Sequence, residues 1–279
     1  MQRAHINGVE LEYEVRGEGE PVLLIHGAHI ANAMTPLLDE PALEGFQQIY
    51  YHRRGFAGSS RATASTSVAT HADDAAALLD HVGVSSAHVV GHSSGAVYAL
   101  EVGARHPARV RSLALLEPAL LTGPAGAVFM EVMTGLMSRY NAGDDAGAVD
   151  EFLSLVGRDD WRQVIERAVP GGVEQAERDA ATFFESELPT VAAWSFDVGR
   201  ASVITCPVLS VLGSDSGPLF AEGRHFLHNW FPDCIDADLA GVTHLLQMEA
   251  TEAVAEAVGH FLRTALPSPA HASAQQHER

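Results

Sequence analysis

The sequence predicts an α/β domain: a mostly parallel, eight-stranded sheet with helices on both faces and an inserted helical cap. Three observations carry this. Strand-like and helix-like runs alternate from residue 21 to 117, and from about Leu121 to Val203 the runs are helical only. Strand-like runs then return at 207–213 and 234–240, ahead of a closing helix. Alternation of this kind requires parallel strands joined by right-handed crossovers.

Each element has its own signal. AHI and VELEYEV flank Asn7-Gly8, a strong hairpin turn. PVLLI (21–25) is continuously apolar, as a strand buried on both faces should be, and FQQIYY (46–51) reads as a further strand. From Thr70, HADDAAALLDHVG spaces its apolar residues as a helix does and stops at Gly83. SSAHVVG is a strand, SGAVYALEVGARH a helix ended before Pro107, and VRSLALLE (110–117) another strand. Loop signals at 141–145, 157–160 and 170–172 divide the helical stretch. PVLSVLG (207–213), CIDADLA (234–240) and the helix TEAVAEAVGHFLRTAL complete the pattern. The expected organisation is a core of residues 1–120 and 204–266, a cap over 121–203, and a disordered tail over 267–279 that lacks bulky apolar residues. No internal repeat interrupts it.

Composition narrows the function. At 279 residues and 47% hydrophobic, the chain can bury one large core. It holds no apolar run of about 18 residues, so no membrane span is expected. Its start alternates and carries charge, unlike a signal peptide. Two cysteines, Cys206 and Cys234, are too few for a disulfide framework, which implies a reduced, cytoplasmic setting. A net charge of −19, with all 17 basic residues arginine, argues against nucleic acid or an anionic membrane as partner. A neutral or apolar small-molecule substrate fits that charge. Neither a metal-ligand spacing nor a glycine-rich phosphate loop appears, so no metal or cofactor is expected. The oligomeric state stays open, with a homodimer among the options.

The chemistry starts at Gly91-His92-Ser93-Ser94-Gly95, a G-x-S-x-G motif between a strand and a helix. That context puts the central side chain on a sharp turn at the carboxyl edge of the sheet. Ser93 is then the candidate nucleophile. The Ser94 N–H, at a helix N-terminus, can bind an oxyanion. Five landmarks now stand in order: LLIHGAH (23–29), HRRGFAGSS (52–60), GHSSG (91–95), PVLSVLG (207–213) and GVTHLLQ (241–247). With them the chain resembles the α/β-hydrolase superfamily, specifically its capped serine hydrolases, over roughly residues 5–265.

That resemblance implies further roles. The Ala28 N–H would be the second oxyanion donor, and His29, deeper in the loop, could touch substrate. His244, after the last strand, stands where the superfamily keeps its base. The acid has two candidates. Most of the superfamily carries it after the penultimate strand, where Asp215 sits one position early in Gly213-Ser-Asp-Ser216. Glu117 ends the strand next to the nucleophile's own, about 4.8 Å away in a parallel sheet. A minority that includes the zearalenone-type lactonases is similar in placing a glutamate there, and Glu117 is favoured over Asp215. Phe129, Met133, Met137 and Tyr140, at helical spacing, are the candidate cap residues for the substrate wall, with Trp194 and Phe183-Phe184 as further candidates. Arg53-Arg54 reads as a loop-packing or salt-bridge pair.

The expected function is a cofactor-independent serine hydrolase of an ester or lactone. A carbon–carbon bond hydrolase of the meta-cleavage type, and a non-catalytic ligand receptor on the same fold, are the alternatives.

Overall fold

Asn7 and Gly8 both take positive φ, 45° and 80°, as a two-residue type I′ turn requires. They fold β1 (Gln2–Ile6) back onto β2 (Val9–Arg16). The computed structural model describes residues 1–61 and 66–265; the tail expected to be disordered lies outside the described residues. Six further strands follow: β3 (Glu20–Ile25), β4 (Phe46–Tyr51), β5 (Ala87–His92), β6 (Val110–Leu116), β7 (Val208–Gly213) and β8 (Ile235–Leu239). The sheet order is β1-β2-β4-β3-β5-β6-β7-β8, antiparallel at β1–β2 and β2–β4 and parallel elsewhere.

Central strands are mostly apolar because both faces are covered. Leu23, Val89 and Leu113 face one core with Leu78, Leu79, Val97 and Leu100 of helices α1 (Val68–His81) and α2 (Ser94–Arg105). Their neighbours Leu24, Val90 and Ala114 face the other, packed against Val254, Val258 and Phe261 of the closing helix Thr251–Thr264. Each fully buried Val, Leu or Phe there contributes about 1.5–3 kcal/mol. Ser67 and Thr70 start α1 with a reciprocal capping box.

Between β6 and β7 the described chain is helical throughout: α3 (Gly123–Asn141), α4 (Asp145–Val156), α5 (Trp161–Ala168), α6 (Gly172–Arg178), α7 (Ala180–Thr182), α8 (Leu188–Ala192) and α9 (Val198–Ala201). These helices build an apolar core of their own around Leu136, Val149, Ile165 and Phe184. A π-helical segment, Phe183–Glu187, joins α7 to α8. Pro189 explains it: without an N–H, proline cannot donate to the carbonyl four residues back, and its ring crowds that carbonyl. Between β7 and β8, where the sequence pattern above predicts no helix, lies α10 (Pro218–Trp230). Its signal was Gly217-Pro218, a helix start, with Leu219, Phe220 and Leu227 buried at helical spacing.

One close approach fixes the geometry below. A Cβ added to Gly95 would lie 2.3 Å from the Ile25 carbonyl oxygen and 2.5 Å from that of His26. Backbone cannot yield as a side-chain tip does. Gly95→Ala is therefore expected to cost about 3 kcal/mol, seen as a lower urea midpoint with an unchanged m-value.

Candidate active site

β5 ends at His92 and α2 begins at Ser94, so Ser93 alone makes the turn, at φ 57° and ψ −122°. A non-glycine residue rarely adopts that backbone, and strain of this kind is held only where the surroundings impose it. Here the Ser93 N–H donates to the Leu116 carbonyl (2.9 Å), and the Ser93 carbonyl accepts from Ala96 and Ala119. The loop after β3 lies close by: a Cβ on Gly27 would sit 2.9 Å from that of Ser93. Among the described residues, the N–H groups of Ala28 and Ser94 have no acceptor in the protein. Two free donors beside one serine suit a developing oxyanion.

His244 is 4% exposed and stacked on Phe220 (centroids 3.8 Å apart). Its Nδ1 lies 2.5 Å from Glu117 Oε2, and Glu117 Oε1 accepts from the Gly213 N–H at 2.7 Å. Glu117 can reach because β6 lies between β5 and β7 and its own N–H donates to Val211 of β7. With Nδ1–H donated to the carboxylate, Nε2 is left as the basic nitrogen. Burial disfavours charge on both partners, pushing His244 down to about 3 and Glu117 up to about 7. Asp215, the other candidate acid, is exposed and accepts from the Ser214 hydroxyl (2.8 Å). The structure brings Glu117 to His244, not Asp215. Asp215→Ala is expected to leave the pH–rate profile and kcat/KM unchanged in steady-state assays.

Two residues that the sequence did not single out, His92 and Gln247, hold the loop of His244. His92 Nε2–H donates to the His244 carbonyl (2.9 Å), which leaves His92 Nδ1 as acceptor for Gln247 Nε2 (3.1 Å). Burial lowers His92 to about 3, which keeps this tautomer neutral. Arg53 is fully buried, lies 4.6 and 4.7 Å from the ring centroids of Phe56 and Tyr98, and donates to the His26 and Gly27 carbonyls. It also pairs with Glu187 at 2.8 Å, while Arg54 pairs with Asp74 at 2.6 Å. Arg53 thus ties the loop that carries Ala28 to the cap.

Ser93, Ser94, Ala28 and His244 all line one cavity. A smaller neighbouring chamber shares Ala28, Ser93 and His244 with it, so the serine sits where two chambers meet. The larger wall is mostly apolar, with Phe129, Phe152, Phe183 and Phe220 as its largest members. Of the expected cap residues, Phe129 and Phe183 are on it, and Met133, Met137, Tyr140, Phe184 and Trp194 are corrected. Met133 is 1% exposed inside the cap core, and Met137 packs against the same cluster. They lie one and two turns further along α3, where the stripe meets α4 instead of the cavity. Trp194 stacks on Phe196 and donates to Glu101 (2.8 Å), on the sheet side. His29 is fully buried behind the wall, 4.6 and 4.1 Å from the Phe152 and Phe183 rings.

A family model described as the alpha/beta hydrolase fold matches residues 20–158. The protein named uncharacterized hydrolase YraK of Bacillus subtilis (strain 168) is 35% identical over 126 residues, 42% of this chain and 44% of that protein. The match therefore spans less than half of that relative. The 2-(acetamidomethylene)succinate hydrolase of Mesorhizobium japonicum is 26% identical over 275 residues, 94% of each chain. Among solved structures, the enol-lactonase from Burkholderia xenovorans LB400 superposes with a TM-score of 0.81 at 21% identity, over 94% of this chain and 100% of that one. Among the described residues, no helix is long and apolar enough to cross a membrane. By its strand order, its helical insert and these matches, the chain has the α/β-hydrolase fold.

Proposed function

We propose that this protein is a serine hydrolase that cleaves an ester or lactone of a small, largely apolar substrate through an acyl-enzyme. The observation that carries it is the Glu117–His244 hydrogen bond of 2.5 Å, on a cavity that Ser93 also lines. Ser93 Oγ attacks the carbonyl carbon and His244 Nε2 takes its proton, while Glu117 stabilises the imidazolium that forms. The N–H groups of Ala28 and Ser94 hold the oxyanion. His244 then protonates the leaving alkoxide, and a water activated by the same nitrogen releases the acid. Two chambers meeting at Ser93 suit the two halves of an ester, and the apolar wall suits hydrocarbon on either side.

Labelling tests this directly. A fluorophosphonate probe should add one phosphonyl group to the peptide carrying Ser93, found by mass spectrometry. An unlabelled folded protein would sink the reading.

A further inference from the structure

Glu187 is the carboxylate on the wall of the larger cavity, and it is 2% exposed. Its Oε1 accepts from Arg53 Nη2 at 2.8 Å and lies 3.5 Å from the Tyr98 hydroxyl. Its Oε2 is buried and has no hydrogen-bond partner, and Arg53 Nη1 has none either. A buried carboxylate oxygen left unmet is costly, and native folds rarely keep one without a use. The apolar members of that wall, among them Phe183, Leu188 and Val191, offer it no donor. The segment that carries it is π-helical, a local geometry that recurs at functional sites.

We propose that Glu187 is a specificity-determining residue whose Oε2 accepts a hydrogen bond from a hydroxyl or amide N–H of the substrate. The preferred ester or lactone then carries that donor at a distance from the scissile carbonyl. Because Arg53 neutralises the carboxylate, the site selects a neutral donor over a cation. A carboxylate or phosphate at that place is rejected by the lone pairs of Oε2. In the closed cavity Oε2 is covered, so the donor meets it as the cap side chains yield to the bound substrate. This inference rests on the serine-hydrolase reading.

The test is a matched series: ethyl hexanoate and hexyl acetate, each with a hydroxyl placed on successive carbons of the six-carbon chain, followed by acid release in a pH-stat. One position should raise kcat/KM by about 10- to 100-fold over the parent ester, as a hydrogen bond to a charged group does. In Glu187→Gln the amide oxygen keeps Arg53 and the amide nitrogen replaces Oε2. The preference at that position should then reverse, toward a keto or methoxy group. If that variant does not fold, the wild-type series decides by itself. Ser93-dependent turnover with no favoured position would overturn the inference and leave the hydrolase reading standing. Absence of Ser93-dependent turnover across the series would overturn both.

Discussion

Ser93→Ala is expected to lower kcat for ester hydrolysis by about a millionfold while leaving thermal stability almost unchanged. Among the described residues the Ser93 hydroxyl makes no hydrogen bond in the protein, so its removal orphans nothing. The unusual backbone at φ 57° is imposed by bonds to the Ser93 main chain, and alanine retains those. What is lost is the covalent route itself. A residual acceleration of about a thousandfold over water should persist, because binding and the oxyanion donors are untouched. Single-turnover kinetics with p-nitrophenyl acetate measure both quantities. An alanine variant that keeps the wild-type acylation burst would move the nucleophile elsewhere.

Glu117→Gln is expected to lower kcat by about ten-thousandfold, and the two bonds to Glu117 say why. The Gly213 N–H needs an acceptor, so the glutamine oxygen stays with it. The amide nitrogen then faces His244 Nδ1, which must give up its proton to accept. The imidazole proton moves to Nε2, and the base facing the cavity becomes a donor. In the wild-type enzyme kcat/KM should fall as pH drops through about 7, the value to which burial pushes Glu117 from 4.5. Stability runs the other way. The folded carboxyl holds its proton to higher pH than the unfolded one, so this group costs stability as pH rises from 4.5 toward 7, and that cost persists above. Compared with wild type, Glu117→Gln should therefore gain melting temperature over that window, with no further gain above it. A melting difference that is flat with pH would contradict the raised carboxyl.

The contrast between Glu117 and Met133 shows what a sequence can reveal. The place of Glu117 beside His244 was legible in topology: the strand after the helix that follows Ser93 neighbours the strand that precedes Ser93, and parallel strands share an edge. Ser93 was legible because the glycines at 91 and 95 mark a turn that only close backbone packing requires. Met133 and Met137 share a helical stripe with Phe129, and a stripe gives a helix face but not what lies opposite each turn. The wall is finished by Phe152 and Leu188 from other cap segments and by Phe220 of α10, long-range neighbours without local periodicity. Arg53 was read correctly as a packing or salt-bridge residue, but its partner stands 134 positions away.

That arginine also sets a population. Lifting the π-helical segment off the sheet would strip a buried guanidinium of its counter-charge, a loss of about 3–5 kcal/mol. A state so disfavoured is occupied on the order of once in 10² to 10⁴ molecules. Substrate capture that waits for wholesale cap opening would thus run at a small fraction of the encounter rate. Admission instead favours motions that leave the Arg53–Glu187 pair intact, such as displacement of α3 at Phe129. On that expectation opening and chemistry are separated: the α3 side of the cap would yield while the Arg53–Glu187 side keeps the 26–28 loop in place.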